Sequence, residues 1–222
     1  LVDDYAGNDH VTWQVCNMYH IDRFITRPLT LDYRCSFVEL IAEAEQPPVW
    51  FTSHWWGTPF WQTMQLLQFH SSRRNDSADV PYWICTLANN QHDLAELSSG
   101  LMATPFVKAI MAPTCRGTVV VIDGEVVVLS RVWCVFELYI STLVAKNRGK
   151  KHLYDLAAWL PEGAMKDAGK PVKAKPTLRL EGDDGIYEEI VRGVGGTFPR
   201  RVADSGMQIS VKSAQASRAV DR

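Results

Sequence analysis

Apolar residues in this chain fall into two patterns: short continuous runs, and longer segments in which they recur every three or four positions. Continuous runs of Val, Ile and aromatic residues predict buried strands, and the three-to-four spacing predicts amphipathic helices. The alternation of the two predicts an α/β fold, with helices on both faces of a parallel sheet. The predicted strands cover 49–52, 82–87 and 118–122, and the predicted helices cover 36–45, 58–70, 93–103, 106–111 and 130–146.

The two ends of the chain lack this alternation. Residues 1–30 are polar and without clear periodicity, which predicts an irregular arm. After residue 149, the segment 152–159 fits a strand or a helix, 163–176 predicts a loop because it is rich in Lys, Gly, Ala and Pro, and 183–194 predicts a short helix.

The predicted organisation therefore has three parts. An N-terminal arm with a short helix covers 1–46, and one α/β domain covers 47–198, with its boundary left open after 149. A polar C-terminal tail covers 199–222. The chain begins with Leu, so we expect it to be a processed form or an excerpt.

Two serines mark predicted helix starts. Ser36 is followed three residues later by Glu39, which is the pattern of a capping box. Ser130 is the predicted N-cap of the helix over 130–146.

Polar residues follow each predicted strand. Ser53-His54-Trp55, Asn89–His92 and Asp123-Gly124-Glu125 come after the first, second and third strands. The carboxyl ends of parallel strands share one edge of a sheet, where ligands bind in open α/β folds. The sequence therefore places its candidate chemistry at this edge.

Composition narrows the class of protein. A net charge of −2 gives no electrostatic case for binding nucleic acid or an anionic membrane, and no apolar run reaches the length of a membrane span. Five cysteines without a CxxC pair predict free thiols in a reducing, intracellular compartment, either the cytoplasm or an organelle such as a plastid. The spacing of Cys16 and His20 lacks a second pair, so no metal is predicted.

Familiar catalytic motifs are missing from the sequence. It contains neither a GxGxxG after a strand nor a phosphate-binding GxxxxGK[ST] loop. Ser53 and His54 are adjacent, but neighbouring side chains at the end of a strand point apart, and no GxSxG elbow is present.

Glu137 is the strongest candidate for chemistry. It lies on the shoulder of an apolar stripe of the last predicted helix, where burial would raise its proton affinity. Such a carboxyl suits general acid–base catalysis or the binding of ribose hydroxyls. The alternatives are an ion pair with Arg131 or another basic group, and a capping role.

Three blocks in order resemble the TIR (Toll/interleukin-1 receptor) domain family. Residues 130–138 match its Ser-x-x-Trp-Cys-x-x-Glu-Leu helix, and 51–56 match the Phe-x-Ser-His-x-Trp start of TIR-like proteins from protists and algae. The block YWICTLANNQHDL resembles a further segment of that group. The resemblance covers roughly residues 17–145 and is strongest to proteins abundant in dinoflagellate algae.

The resemblance implies a flavodoxin-like fold and two possible functions. Some TIR domains assemble with other proteins. Others cleave the nicotinamide–ribose bond of NAD with a glutamate that matches Glu137, while an aromatic residue stacks on the substrate. Ser53, His54, Trp55 and Trp133 are the candidate substrate-binding residues.

Of these two functions, we expect an interaction or structural module. Eight tryptophans, predicted extensions without a core, and a loop at 89–92 that lacks the pattern of signalling TIR domains support this choice. The expected partners are other protein subunits or further copies of this chain, in a larger assembly such as a plastid photosynthetic complex. No cofactor is predicted. In the alternative hypothesis, in which the protein cleaves NAD, NAD is the substrate.

Overall fold

The structure, a computed structural model, describes residues 11–93, 100–147, 151–160, 166–167, 170–171, 175–182 and 187–191. Part of the predicted helix over 93–103 and all of the predicted tail over 199–222 lie outside these residues.

One mixed sheet of six strands organises the described residues, in the order β2-β1-β3-β4-β7-β8. The first four strands in this order are parallel, and β7 and β8 extend the sheet in antiparallel fashion. A separate pair, β5 and β6, forms a small hairpin. The bounds are β1 Trp50–His54, β2 Tyr82–Trp83, β3 Gly117–Ile122, β4 Leu153–Leu160, β5 Lys166–Asp167, β6 Lys170–Pro171, β7 Lys175–Glu181 and β8 Tyr187–Val191.

Helices precede and connect the parallel strands. The bounds are α1 Met18–Ile21, α2 Arg27–Thr30, α3 Phe37–Ile41, α4 Phe60–Arg74, α5 Cys85–Ala88, α6 Pro105–Met111 and α7 Val132–Asn147. A π-helical turn, Asp22–Thr26, joins α1 to α2, and short 3-10 helices cover Leu101–Ala103 and Val127–Ser130.

The predicted α/β class, with helices on both sheet faces, is confirmed. Side chains alternate in β3, so Val119 and Val121 pack with Leu66 of α4 on one face. Val120 packs on the opposite face, in a cluster that includes Cys134 of α7. The two faces of this strand are therefore covered by different helices, as its continuous apolar run requires.

The predicted second strand is right only at its start. The chain leaves the sheet after Trp83 and forms α5 from Cys85. Gln91 stabilises this helix, because its side-chain amide donates to the carbonyls of Cys85 and Thr86 at 3.0 and 3.3 Å. A short apolar run does not distinguish a strand from a buried helical turn, so the error has a physical origin.

The predicted start of the last helix is also wrong. Ser130 ends a 3-10 helix, and its hydroxyl donates to the carbonyl of Val127 at 2.8 Å. The α-helix begins two residues later, at Val132. The capping box of Ser36 and Glu39, by contrast, is confirmed, with both reciprocal hydrogen bonds formed.

The predicted irregular arm is wrong for its described part. Residues 18–30 are helical, and the side chain of Asn17 accepts hydrogen bonds from the backbone N–H groups of Tyr19 and His20. Met18 and Ile21 belong to the core cluster of Leu66 and Val119. The segment is therefore anchored in the same core as the sheet.

The segment after residue 150 completes the sheet. Residues 152–159 largely form β4, since they pair in parallel with β3. The predicted short helix within 183–194 is wrong over Tyr187–Val191, which pairs with β7 as a strand. The predicted loop over 163–176 contains the β5–β6 hairpin and the start of β7.

A buried ionic network ties α4 to β4. Asp155 accepts hydrogen bonds from Arg74 at 2.5 and 2.9 Å, and its Oδ2 lies 2.7 Å from His70 Nε2. Burial alone opposes ionisation of Asp155, but the hydrogen bonds from His70 and Arg74 outweigh it, so its pKa is lowered. Tyr82 joins the network through His70 Nδ1 at 2.7 Å.

We predict that Asp155→Asn lowers the free energy of unfolding by about 3 kcal/mol, because it leaves Arg74 without its buried counter-charge. The folded pKa lies below the unfolded value of about 3.9, so this stabilisation is complete above about pH 4 and is lost as the pH falls through the folded pKa. Urea unfolding of both proteins at several pH values measures the effect.

The matched control is Glu188→Gln. Glu188 lies 4.0 Å from Arg73 in an exposed pair, whose loss is expected to change stability by less than about 0.5 kcal/mol. Equal effects of the two substitutions would contradict a structural role for the Asp155 network.

Candidate functional site

The candidate site lies at the carboxyl edge of the parallel strands, around the end of β1. Ser53 and His54 are the last two residues of β1 and pair with Val120 and Val121 of β3. The prediction that they belong to a loop is therefore wrong. Backbone pairing to β3 extends the strand by two residues and buries both side chains.

Ser53 and Glu137 form the central contact of this edge. The Ser53 hydroxyl donates to Glu137 Oε2 at 2.6 Å, from β1 to α7. Only 5% of Glu137 and none of Ser53 is exposed to solvent. Among the described residues Glu137 has no salt-bridge partner, so the predicted alternative of an ion pair with Arg131 is wrong.

Burial changes the protonation of Glu137. Loss of hydration raises its pKa to about 8, and the hydrogen bond from Ser53 opposes the shift only in part. The side chain is therefore a neutral carboxylic acid at neutral pH. Such a group holds a proton that it can donate, which is the property that acid catalysis requires.

His54 and two thiols surround this contact. Burial lowers the pKa of His54 to about 4, so its ring is neutral, and its Nε2 lies 3.7 Å from Cys85 Sγ. The Cys134 thiol donates to the His54 carbonyl at 3.5 Å. Burial raises the pKa of Cys85 to about 12 and that of Cys134 well above its usual value, and the nearby Glu137 adds to both shifts.

These thiols are therefore unsuited to nucleophilic catalysis in this conformation. A cysteine nucleophile attacks as a thiolate and needs a lowered pKa. All five cysteines of the chain are free. No sequence signal marks Cys85 or Cys134 as a site residue, since an apolar run does not indicate that a thiol faces a histidine.

The candidate aromatic residues have separate positions. Trp56 donates its indole N–H to Cys85 Sγ at 3.0 Å. Trp55 lies over Gly57 so closely that a Cβ there would sit 2.3 Å from its ring, which explains the glycine. Trp133 stacks on Phe106 with ring centroids 5.4 Å apart, so this ring packs α7 on α6.

The polar side chains in the loops at this edge mainly form hydrogen bonds with backbone groups. The Asp123 carboxylate accepts from the N–H groups of Glu125 and Val128 at 3.0 and 3.1 Å. Gln91 holds α5, as described above. The structure thus brings Ser53 and Glu137 into contact, with His54 next along β1 and beside Cys85, whereas the predicted substrate-binding residues Trp55 and Trp133 have packing contacts of their own.

Comparisons with protein-family models, curated proteins and solved structures gave no match. In the described residues no group of three or more His, Cys, Asp and Glu side chains could hold a metal ion. None of the helices described here is long and apolar enough to cross a membrane.

We predict that Glu137→Gln stabilises the protein increasingly as the pH rises. Between about pH 4.3, the unfolded pKa, and about pH 8, the unfolded wild type releases a proton that the folded state retains, so wild-type stability falls. The amide does not titrate and escapes this loss. Urea unfolding across this range measures the difference.

Glu43→Gln is the matched control, because Glu43 is exposed. Its stability curve is expected to follow the wild type at every pH. A Glu137→Gln curve that runs parallel to the wild type would show that the carboxyl is ionised in the folded protein.

Proposed function

We propose that this protein is a TIR-like interaction module, an accessory subunit of a larger assembly that associates with further copies of its own chain. The observation that best supports this proposal is an apolar outer face on the N-terminal helical segment. Phe24, Ile25, Leu29, Leu31 and Tyr33 are all exposed there, between 39 and 73%. Several exposed large apolar residues concentrated on one short segment are typical of protein interfaces.

The order of the four parallel strands supports the flavodoxin-like part of the proposal. Their order, β2-β1-β3-β4, agrees with the first four positions of the flavodoxin-like sheet. The antiparallel β7 takes the place next to β4, where that fold has a fifth parallel strand.

In the proposed dimer the outer face of one copy meets the same face of its partner. When two copies of this segment run antiparallel about residues 27 and 28, Phe24 of one protomer meets Leu31 of its partner. In the same register Arg23 approaches Asp32 of the partner, so opposite charges lie just outside the two contacts of Phe24 with Leu31. Two-fold interfaces require such self-complementarity, because each surface patch meets its own copy.

We predict that Phe24→Asp combined with Leu29→Asp abolishes self-association, since it places four carboxylates in the centre of the interface. Light scattering after size-exclusion chromatography measures the mass of each protein. The wild type is expected to be dimeric at tens of micromolar, roughly the range of a modest interface, and the variant monomeric.

Tyr139→Asp is the control, because Tyr139 is 58% exposed on α7, outside this segment. It is expected to leave the dimer intact. A monomeric wild type at high concentration, or an equal effect of both variants, would refute the assembly proposal.

A second candidate function is NAD glycohydrolase activity. The observation that favours it is a buried carboxyl without a cationic partner at the sheet edge where ligands bind. Natural proteins retain such costly groups mainly where function requires them. Glu137 is the proposed catalytic residue, and its burial requires that the edge open before substrate reaches it.

For this second function we predict that purified protein releases nicotinamide from NAD, and that Glu137→Gln reduces release at least 100-fold, about the smallest loss expected on removal of an acid–base group. Activity of the neutral acid falls as the pH rises through about 8, whereas activity of the ionised carboxylate rises over the same range. Glu43→Gln is expected to retain full activity. No release at high concentrations of wild-type protein would exclude this function.

A further inference from the structure

Residues 16–34, here called the strap, cross the carboxyl edge of the sheet and are held at two ends. At the first end, the carbonyl of Cys16 accepts from the N–H of Phe60 at 2.6 Å, and the N–H of Met18 donates to the carbonyl of Trp56 at 3.0 Å. These contacts attach the strap to the loop that follows β1.

The second end is attached to the loop after α5. Thr30 Oγ1 lies 2.8 Å from His92 Nε2 and donates to the carbonyl of Thr26 at 2.7 Å. Arg34 donates to the His92 carbonyl at 3.2 Å, and Asn90 donates to the Arg34 carbonyl at 2.5 Å. The strap therefore joins two loops that both follow strands of the parallel sheet.

Between these ends the strap has its polar side chains inside. Asp22, Thr26 and Thr30, spaced four residues apart, are all buried, whereas Phe24, Ile25 and Leu29 are exposed. From Asp22 to Thr30 this is the reverse of an ordinary surface helix, whose apolar side faces the core. Before this stretch, Met18 and Ile21 pack into the core.

The buried side is incompletely paired. Asp22 Oδ1 and Thr26 Oγ1 are buried without a hydrogen-bond partner, and so is Asn89 Oδ1 at the end of α5. The other Asp22 oxygen, Oδ2, accepts from Arg27 Nε at 2.7 Å. The Asp22–Thr26 turn packs against α5, so these groups belong to one contact region. A buried polar group without a partner costs about 1–3 kcal/mol, and opening to water recovers that cost.

Cys85 is linked to this region through Trp56 and through α5. Its thiol accepts the indole N–H of Trp56, whose ring makes an edge contact with Tyr19 of the strap at 5.3 Å. The residue begins α5, on which the strap turn packs. Access to Cys85 therefore reports whether the strap is closed.

We propose that the strap is a lid that opens from its middle while the domain stays folded, and so controls the access of small polar molecules to the edge that carries His54, Ser53 and Glu137. Two firm ends with a poorly paired polar middle favour local opening over global unfolding. The proposal depends on neither NAD cleavage nor self-association.

Two identical substitutions on the inner side provide the test. Thr30→Val removes a hydroxyl that is hydrogen-bonded across to His92, so opening is expected to become about tenfold more frequent. Thr26→Val removes an unpaired hydroxyl and changes the side-chain shape in the same way, so opening is expected to become several-fold rarer. Both replacements are β-branched and have similar helix propensities.

Opening is measured as the rate of native-state alkylation by iodoacetamide, followed at each cysteine by peptide mass spectrometry. The internal control is Cys115, which is buried just before β3, at the opposite edge of the sheet. Thr30→Val is expected to accelerate the alkylation of Cys85 and to leave that of Cys115 unchanged. Thr26→Val is expected to slow the alkylation of Cys85.

Equal changes at Cys85 and Cys115 would mean global unfolding and would overturn the proposal. Acceleration of Cys85 by both substitutions, or by neither, would overturn it as well. If a variant fails to fold, the alkylation rates of the wild type at low concentrations of urea test the proposal instead. Local opening exposes little surface, so alkylation of Cys85 should depend on urea less steeply than that of Cys115.

Discussion

The parallel pairing of β1 with β3 is the constraint on which the rest of this structure depends. It places Ser53 opposite Val120 and His54 opposite Val121, so both polar side chains lie at the end of a fully buried strand. From there Ser53 reaches Glu137 of α7, and His54 lies between Cys85 and Cys134. A shift of the register by one residue would exchange the faces of Ser53 and His54 and separate each from its partners.

Polar groups of different kinds are buried at the two ends of the parallel strands. Near the amino ends of β1 and β2, Asp155, Arg74, His70 and Tyr82 satisfy one another, with charges that compensate. At the carboxyl edge the buried carboxyl of Glu137 has a serine as its side-chain partner, and its cost appears as a raised pKa. A paired network serves stability, whereas an uncompensated acid is expected where a protein binds or reacts.

The strap connects the two proposals for this molecule through its two sides. Its outer side is apolar and is proposed to meet another copy of the chain; its inner side is polar and covers the loops that follow β1 and α5. Contacts made outside are therefore one turn of helix away from the groups that hold the lid. Whichever function Glu137 serves, we propose that this segment controls access to it from the β1–β2 side of the edge.

The sequence by itself determined the class of fold, β1 and β3 and most of the connecting helices, because continuous apolar runs and helical spacing are local signals. The same spacing placed Glu137 beside an apolar stripe and so marked it as a candidate. The sequence pattern predicts an irregular arm where the strap is helical. Helical periodicity is recognised from an apolar buried side, and the buried residues Asp22, Thr26 and Thr30 are polar. Only the tertiary structure decided that α5 interrupts the second strand, that Tyr187–Val191 is a strand, and that Ser53 is the partner of Glu137. Each of these depends on hydrogen bonds between residues distant in the chain, which no local pattern encodes.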